Sequence, residues 1–223
     1  MRILLSLLVS FLSVTSLWAQ APFTVDDNRL FYGGLQLGMN FSQVDGDTYS
    51  GYHKVGVVGG GLVYVRPFKR LGFSLGLGYA QKGSNESDIR ETAIGPAVFR
   101  YRIHLQYAEV PLLFHLFVPG KFHYSAGFAY SRLLASKEES EDINPINISP
   151  DLYPFKPQEI SGIVGINYHI YGQWFALGQY QYSLTSIRSD PQIPPGYNTG
   201  SGHEYNNLFS LKLLYLIGSA TAR

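Results

Sequence analysis

The stretch that decides the reading is Leu71–Lys82, LGFSLGLGYAQK. Strand alternation puts Leu71, Phe73, Leu75, Leu77 and Tyr79 on one face and Gly72, Ser74, Gly76, Gly78 and Ala80 on the other. A water-soluble sandwich or barrel needs its large apolar face inward and a polar face outward, yet the second face here is merely small. The large face therefore requires an apolar neighbour. In a closed barrel crossing a bilayer that neighbour is lipid, and the glycine face lines a narrow lumen.

Working outward, the same alternation recurs. Phe31–Gln43 puts Leu35, Leu37, Met39 and Phe41 outward and Gln36, Gly38 and Asn40 inward. A turn-rich loop, 44–54, leads to 55–66, a glycine-rich and β-branched strand whose facing is ambiguous. After the short turn 67–70 comes the decisive strand, then an expected loop from 83 to about 98.

The fourth strand spans 99–117, with Tyr101, Ile103, Leu105 and Tyr107 alternating with Arg100, Arg102, His104 and Gln106. If the first set faces lipid, unbroken alternation would put Glu109 there too, at a cost of about 2 kcal/mol or more near the midplane. One extra residue near Ala108 is therefore expected. Pro111, which cannot donate to a ladder, marks the same place. Glu109 then turns inward, and Val110, Leu112, Phe114 and Leu116 face out.

Phe122 to about Leu134 puts Phe122, Tyr124, Ala126, Phe128 and Tyr130 outward and His123, Ser125, Gly127 and Ala129 inward. A long acidic, proline-bearing loop is expected over 136–157. Strands follow at 158–171, 174–184 and 205–217, with a second long loop over 185–204. The fold class expected is all-β, an eight-stranded antiparallel up-and-down transmembrane β-barrel. The competing architecture, a lipocalin-like soluble barrel, should be polar outside.

The ends are read separately. Met1–Ala19, with Arg2 ahead of an apolar run, reads as a signal peptide cleaved after Ala19 or Ala21. Residues 20–30 form an N-terminal periplasmic segment, 31–217 the barrel and 218–223 a tail. Loss of Arg2 leaves 16 basic against 16 acidic residues, which argues against nucleic acid as a partner. With 17 Tyr, 14 Phe and 24 Gly but no apolar run after the signal long enough for a helical span, the composition suits a barrel. There is no cysteine for a lipid anchor or a disulfide. Long connections alternate with short ones, so the short turns and both termini are expected in the periplasm and the long loops outside the cell.

The chain also resembles a known family, the PorT-like outer-membrane β-barrel proteins of Bacteroidetes. The similarity rests on GLQLGMNFSQVDGDTYSGYHKVG (34–56), SLGLGYAQKGS (74–84), YAEVPLLFHLFVPGKF (107–122) and YSRLLASKEE (130–139), in that order. It implies an OmpA/OmpX-type barrel in a Gram-negative outer membrane and little about activity. The founding member's link to type IX protein secretion is carried by no motif here. Members commonly end on an aromatic residue, whereas this chain continues past Ile217, so the insertion machinery would have to read Tyr215.

Chemical motifs are few. Gly76, Gly78 and Gly83 lie on a strand with no helix following, so they form no dinucleotide loop. Asp45 and Asp47 lack the spacing of a calcium loop, and the six histidines lack close metal-ligand spacing. No cofactor, metal or catalytic residue is expected. The role expected is structural or binding, through the long surface loops, with outer-membrane lipid and envelope or secretion proteins as partners and a monomeric state. The alternative is a lipid-modifying enzyme, for which Ser131, Ser136 and His203 are the candidates, or a small-molecule porin. Inside the barrel, Glu109 is expected to pair with Lys212, Arg100 or Arg102 in a network that plugs the lumen.

Overall fold

Period-two alternation with β-branched and aromatic residues on one face builds strands throughout, and no helix occurs among the described residues. The computed structural model describes residues 30–47, 51–68, 70–92, 95–141, 152–193 and 202–217, with backbone alone at 86–92, 95–100 and 140–141. The expected signal peptide, residues 20–29, Lys69, the side chain of Arg100 and the tail 218–223 lie outside what is described.

The elements are β1 (Phe31–Asp45), β2 (Lys54–Val65), β3 (Leu71–Thr92), β4 (Gly95–Phe117), β5 (Phe122–Glu141), β6 (Gln158–Tyr171), β7 (Trp174–Ser183), β8 (Arg188–Ser189) and β9 (His203–Ile217). Eight long strands pair antiparallel in chain order, and β1 closes the barrel on β9 with Leu37 opposite Leu213. The two-residue β8 is appended to the start of β9, pairing Arg188 with Glu204. Even the shortest wall strand, β7, has 10 residues, enough for one tilted crossing of about 9–11 residues.

The outer face carries an apolar belt: Leu35, Leu37, Leu75, Leu77, Phe114, Phe128, Val164 and Leu211 are all exposed. Aromatic pairs rim it at both ends. Phe122 meets Tyr168 at 4.9 Å and Trp174 meets Tyr215 at 4.9 Å near the short turns, while Tyr180 meets Phe209 at 5.0 Å and Tyr182 stacks on Tyr205 at 6.1 Å at the other end. Such exposed apolar area between aromatic girdles is what a bilayer covers. The ambiguous strand β2 settles with Lys54, Val58 and Tyr64 inward and Val55, Val57 and Val63 outward.

Three expectations are corrected. The loop over 83–98 is instead the long β3–β4 hairpin, strands of 22 and 23 residues that overrun the belt, and β5 continues through Glu141. In β4 the facing never breaks: Tyr101, Ile103, Leu105 and Tyr107 point inward, as do Glu109, Leu113 and His115. Above the belt the outer face meets water, so large apolar side chains belong inside, the reverse of the rule within the bilayer. They form a core with Val44, Phe155 and Ile187.

A bulge does lie at this level, but on the neighbouring strand. Gln106 pairs with Ala135 and Tyr107 with Leu133, leaving Leu134 as the extra residue of β5. Its effect is to change the facing of β5, so that Glu138 points inward where strict alternation from Ser131 would have put it outside. Pro111 is accommodated differently. The β3–β4 ladder lapses between Leu75↔Leu112 and Gly78↔Glu109, with Gly76 beside the pyrrolidine ring.

Candidate functional site: a filled lumen and a capped mouth

The lumen is packed in layers. In the middle layer Lys82, from the inward face of β3 that also carries Gly78 and Ala80, has no exposure. Its Nζ lies 2.8 Å from Glu109 Oε2 and 3.2 Å from Glu159 Oε1, and donates to Ser131 Oγ at 3.3 Å. Each carboxylate has further donors. Gln181 Nε2 and Ser131 Oγ reach Glu109 at 2.9 and 3.0 Å, and Ser183 Oγ and Asn206 Nδ2 reach Glu159 at 2.7 and 2.9 Å. The ammonium also lies 5.0 Å from the centre of the Tyr107 ring. Burial of charges on this scale is tolerable only with such complete partnering.

The expected network is therefore redistributed. The cation on Glu109 is Lys82, contributed by the neighbouring strand. Lys212, buried on β9, donates to Gln179 Oε1 at 2.7 Å. Arg102 lies above the belt on the outer face and pairs with Glu139 at 3.6 Å, both partly exposed. Below, Ser74 Oγ lies 2.8 Å from His115 Nε2, and Tyr64, His115, His123 and Phe117 pack ring on ring. Beside them a cavity of about 20 Å³ has room for one water, next to a buried His115 Nδ1 that lacks a protein partner.

At the long-strand end, described residues of two connections fold into the mouth of the barrel. Ile187 and Phe155 pack onto the inward side chains of β4, and Lys156 N bonds to Ile187 O at 2.7 Å, joining the β5–β6 and β7–β8 connections. At the centre Arg188, fully buried, makes a double fork. Its Nε lies 2.8 Å from Glu204 Oε2, and its Nη1 and Nη2 reach Glu138 Oε2 and Oε1 at 2.8 and 3.1 Å. Tyr101 OH donates to Glu138, and the guanidinium lies 4.1 Å from the centre of the Phe155 ring.

Electrostatics of the cap follow from one cation serving two carboxylates. Burial alone would lower the Arg188 pKa, but hydrogen bonds and attraction from Glu138 and Glu204 hold it above its ordinary value. Glu204 moves up from the ordinary carboxyl value, because burial outweighs the pull of Arg188 and the charges of Glu138 and Asp190 repel its own.

The candidates for acyl chemistry are not brought together. Ser131 is locked in the Lys82 layer, whereas His203 sits on the exposed start of β9 with its Nδ1 3.1 Å from Ser189 Oγ. No group of three or more His, Asp or Glu side chains that could hold a metal ion occurs among the described residues. Sequence reasoning missed Lys82, Glu159, Arg188 and Glu204. The first two were accessible from strand parity; Arg188 lies in a segment with no periodicity to read.

A comparison with curated proteins gives no match. Among solved structures the chain is similar to Ail, the attachment invasion locus protein of Yersinia pestis, at 10% identity and a TM-score of 0.45, covering 85% of this chain and 100% of that one. It is similar to Neisserial surface protein A, at 10% identity and a TM-score of 0.42, covering 83% and 96%. The N-terminal β-barrel domain of Pseudomonas aeruginosa OprF follows at 10% identity and 0.35, covering 82% and 97%. Residues 18–189 match the outer membrane protein beta-barrel domain family. The chain therefore belongs to that family and is a protein of the outer membrane.

Proposed function

We propose that this protein is a sealed, non-enzymatic outer-membrane barrel of the PorT-like branch, serving a structural or binding role through the face that carries its long strands and loops. The observation that carries the reading is the middle layer: Lys82, Glu109 and Glu159 meet inside the lumen, buried and hydrogen-bonded to Ser131, Gln181, Ser183 and Asn206. A conduit would need that space open. The dispersal of Ser131 and His203 supports the absence of catalysis, and the extended β3–β4 hairpin with the capped mouth supplies a platform for a partner.

In this reading the short turns 66–70, 118–121 and 172–173 face the periplasm and the capped mouth faces the exterior. Partners are envelope or secretion proteins, and the barrel is a monomer. An impermeant thiol reagent applied to intact cells should label a cysteine at Leu152 and spare one at Pro119; labelling of Pro119→Cys alone would invert the topology. Crosslinking through position 152 followed by purification of the barrel should then recover a defined envelope protein. Recovery of the barrel alone at every loop position tried would remove the binding role.

A further inference from the structure

The lipid-facing wall is not evenly covered. Two shallow, open grooves of about 540 and 550 Å³ adjoin over β4, β5, β6, β7 and β9, with Val164 and Tyr180 lining both and forming the ridge between them. They exist because the outward positions Ala126, Gly162 and Gly178 carry little or no side chain between Phe128, Tyr180 and Phe209. The fold does not require those glycines. A Cβ at Gly162 would meet only the Leu184 side chain, at 3.8 Å, and one at Gly178 nothing closer than 3.9 Å.

Directly above the same strands lies a cluster of polar groups. Around the cap Phe155, Ile187, Arg188 and Glu204 are buried, whereas Lys156 and His203 are exposed and Ser186 and Ser189 half-buried. Lys156 Nζ donates to Ser186 Oγ and, at 2.9 Å, to Ser189 Oγ; the two hydroxyls are 3.1 Å apart, and His203 Nδ1 is 3.1 Å from Ser189 Oγ. His203 stands two residues above Tyr205, a member of the girdle, at head-group depth. The nearby Asp190 turns its carboxylate toward Gly202.

We infer that this sector of the wall binds a phosphorylated membrane lipid, with acyl chains in the paired grooves and a head-group phosphate held by Lys156, Ser186, Ser189 and His203. Two adjoining apolar grooves match neighbouring acyl chains of one lipid, and one cation beside hydroxyl and imidazole donors matches a phosphate oxygen set. An acyl chain is the occupant because the grooves open within the belt, where hydrocarbon is the surrounding medium. The reading of the capped mouth as exterior enters only in choosing the outer leaflet, and the thiol labelling at Leu152 tests that separately.

The test is native mass spectrometry of the full-length protein released from nanodiscs holding equal amounts of lipid A and dephosphorylated lipid A. The wild type should retain the phosphorylated form preferentially, and Lys156→Ala should reduce that retention about fivefold, the effect of removing one basic charge beside an anionic surface. Gly178→Leu, or Gly162→Leu if the first fails to fold, should lower retention of both forms without changing thermal unfolding. Equal retention of the two lipids, or no loss in Lys156→Ala, would overturn the proposal. So would Lys156-dependent binding of inorganic phosphate combined with no effect of groove filling, which would assign the cluster to a free anion.

Discussion

Lys82 Nζ and Glu109 Oε2 lie 2.8 Å apart in the middle of the barrel, one from each strand of the longest hairpin and both sealed from solvent. The pair is extended by Glu159 from the opposite wall, so a single ammonium ties β3, β4 and β6 together across the lumen. Removing the ammonium strands two carboxylates, whereas removing Glu109 leaves Lys82 paired with the Glu159 carboxylate and bonded to Ser131. Lys82→Met should therefore lower the unfolding free energy in detergent by about 3–5 kcal/mol, with a clearly smaller loss in Glu109→Gln. Equal stability of Lys82→Met and wild type in urea titrations would show that the layer carries no structural weight.

Arg188 plays the corresponding part in the cap, outside the wall strands. Arg188→Leu should leave the barrel folded and heat-modifiable on gels while freeing the segment 185–193, because Glu138 and Glu204 lose their shared cation. Limited proteolysis of the folded protein should cut that segment faster in the variant. Unchanged cleavage with an intact barrel would mean that the apolar contacts of Ile187 and Phe155 hold the cap alone.

The pH response of the cap has a defined sign. Glu204 has a raised folded-state pKa, so the folded cap binds protons more readily than the open one. Its contribution to stability is fully present below the ordinary carboxyl value and is lost as pH rises through the folded value. A spin label at Gln192→Cys should accordingly become no more mobile as pH falls from 8 toward 5. Progressive mobilisation over that fall would contradict the assignment.

Leu134 is the extra residue that closes no pair between β4 and β5, and its deletion separates the bulge from the cap. Without it Leu133 stays opposite Tyr107 and Ala135 opposite Gln106 in continuous pairing, so Glu138 keeps its inward place opposite Ile103, facing Arg188. The deletion variant should insert normally and keep a cap as protease-resistant as wild type. The loosened cap of Arg188→Leu in this variant would contradict the register that puts Glu138 inward.

Much of this architecture was legible in the sequence, and the failures are instructive. Within the belt, outward Leu35, Leu75 and Phe128 and inward Asn40, Ser74 and Gln179 follow from parity, because lipid and lumen impose opposite demands on alternate residues. Strand β2 resisted because Gly59, Gly60 and Gly61 give parity nothing to read. In β4 the rule reversed sign above the bilayer, and a sequence carries no mark of where the membrane ends. Applying the lipid rule to Tyr101–Tyr107 demanded a break that the strand does not have. Glu159 stood on the inward face opposite Ile160 and could have been found; its partnership with Lys82, 77 residues away, is a product of barrel closure.

The central claim is that the lumen is shut. The direct measurement is single-channel recording of the purified protein in planar bilayers, first as wild type and then as Arg188→Leu. With the Lys82 layer filling the interior independently of the cap, both should give no steady conductance steps. A stable ohmic conductance in the wild type would contradict the sealed barrel.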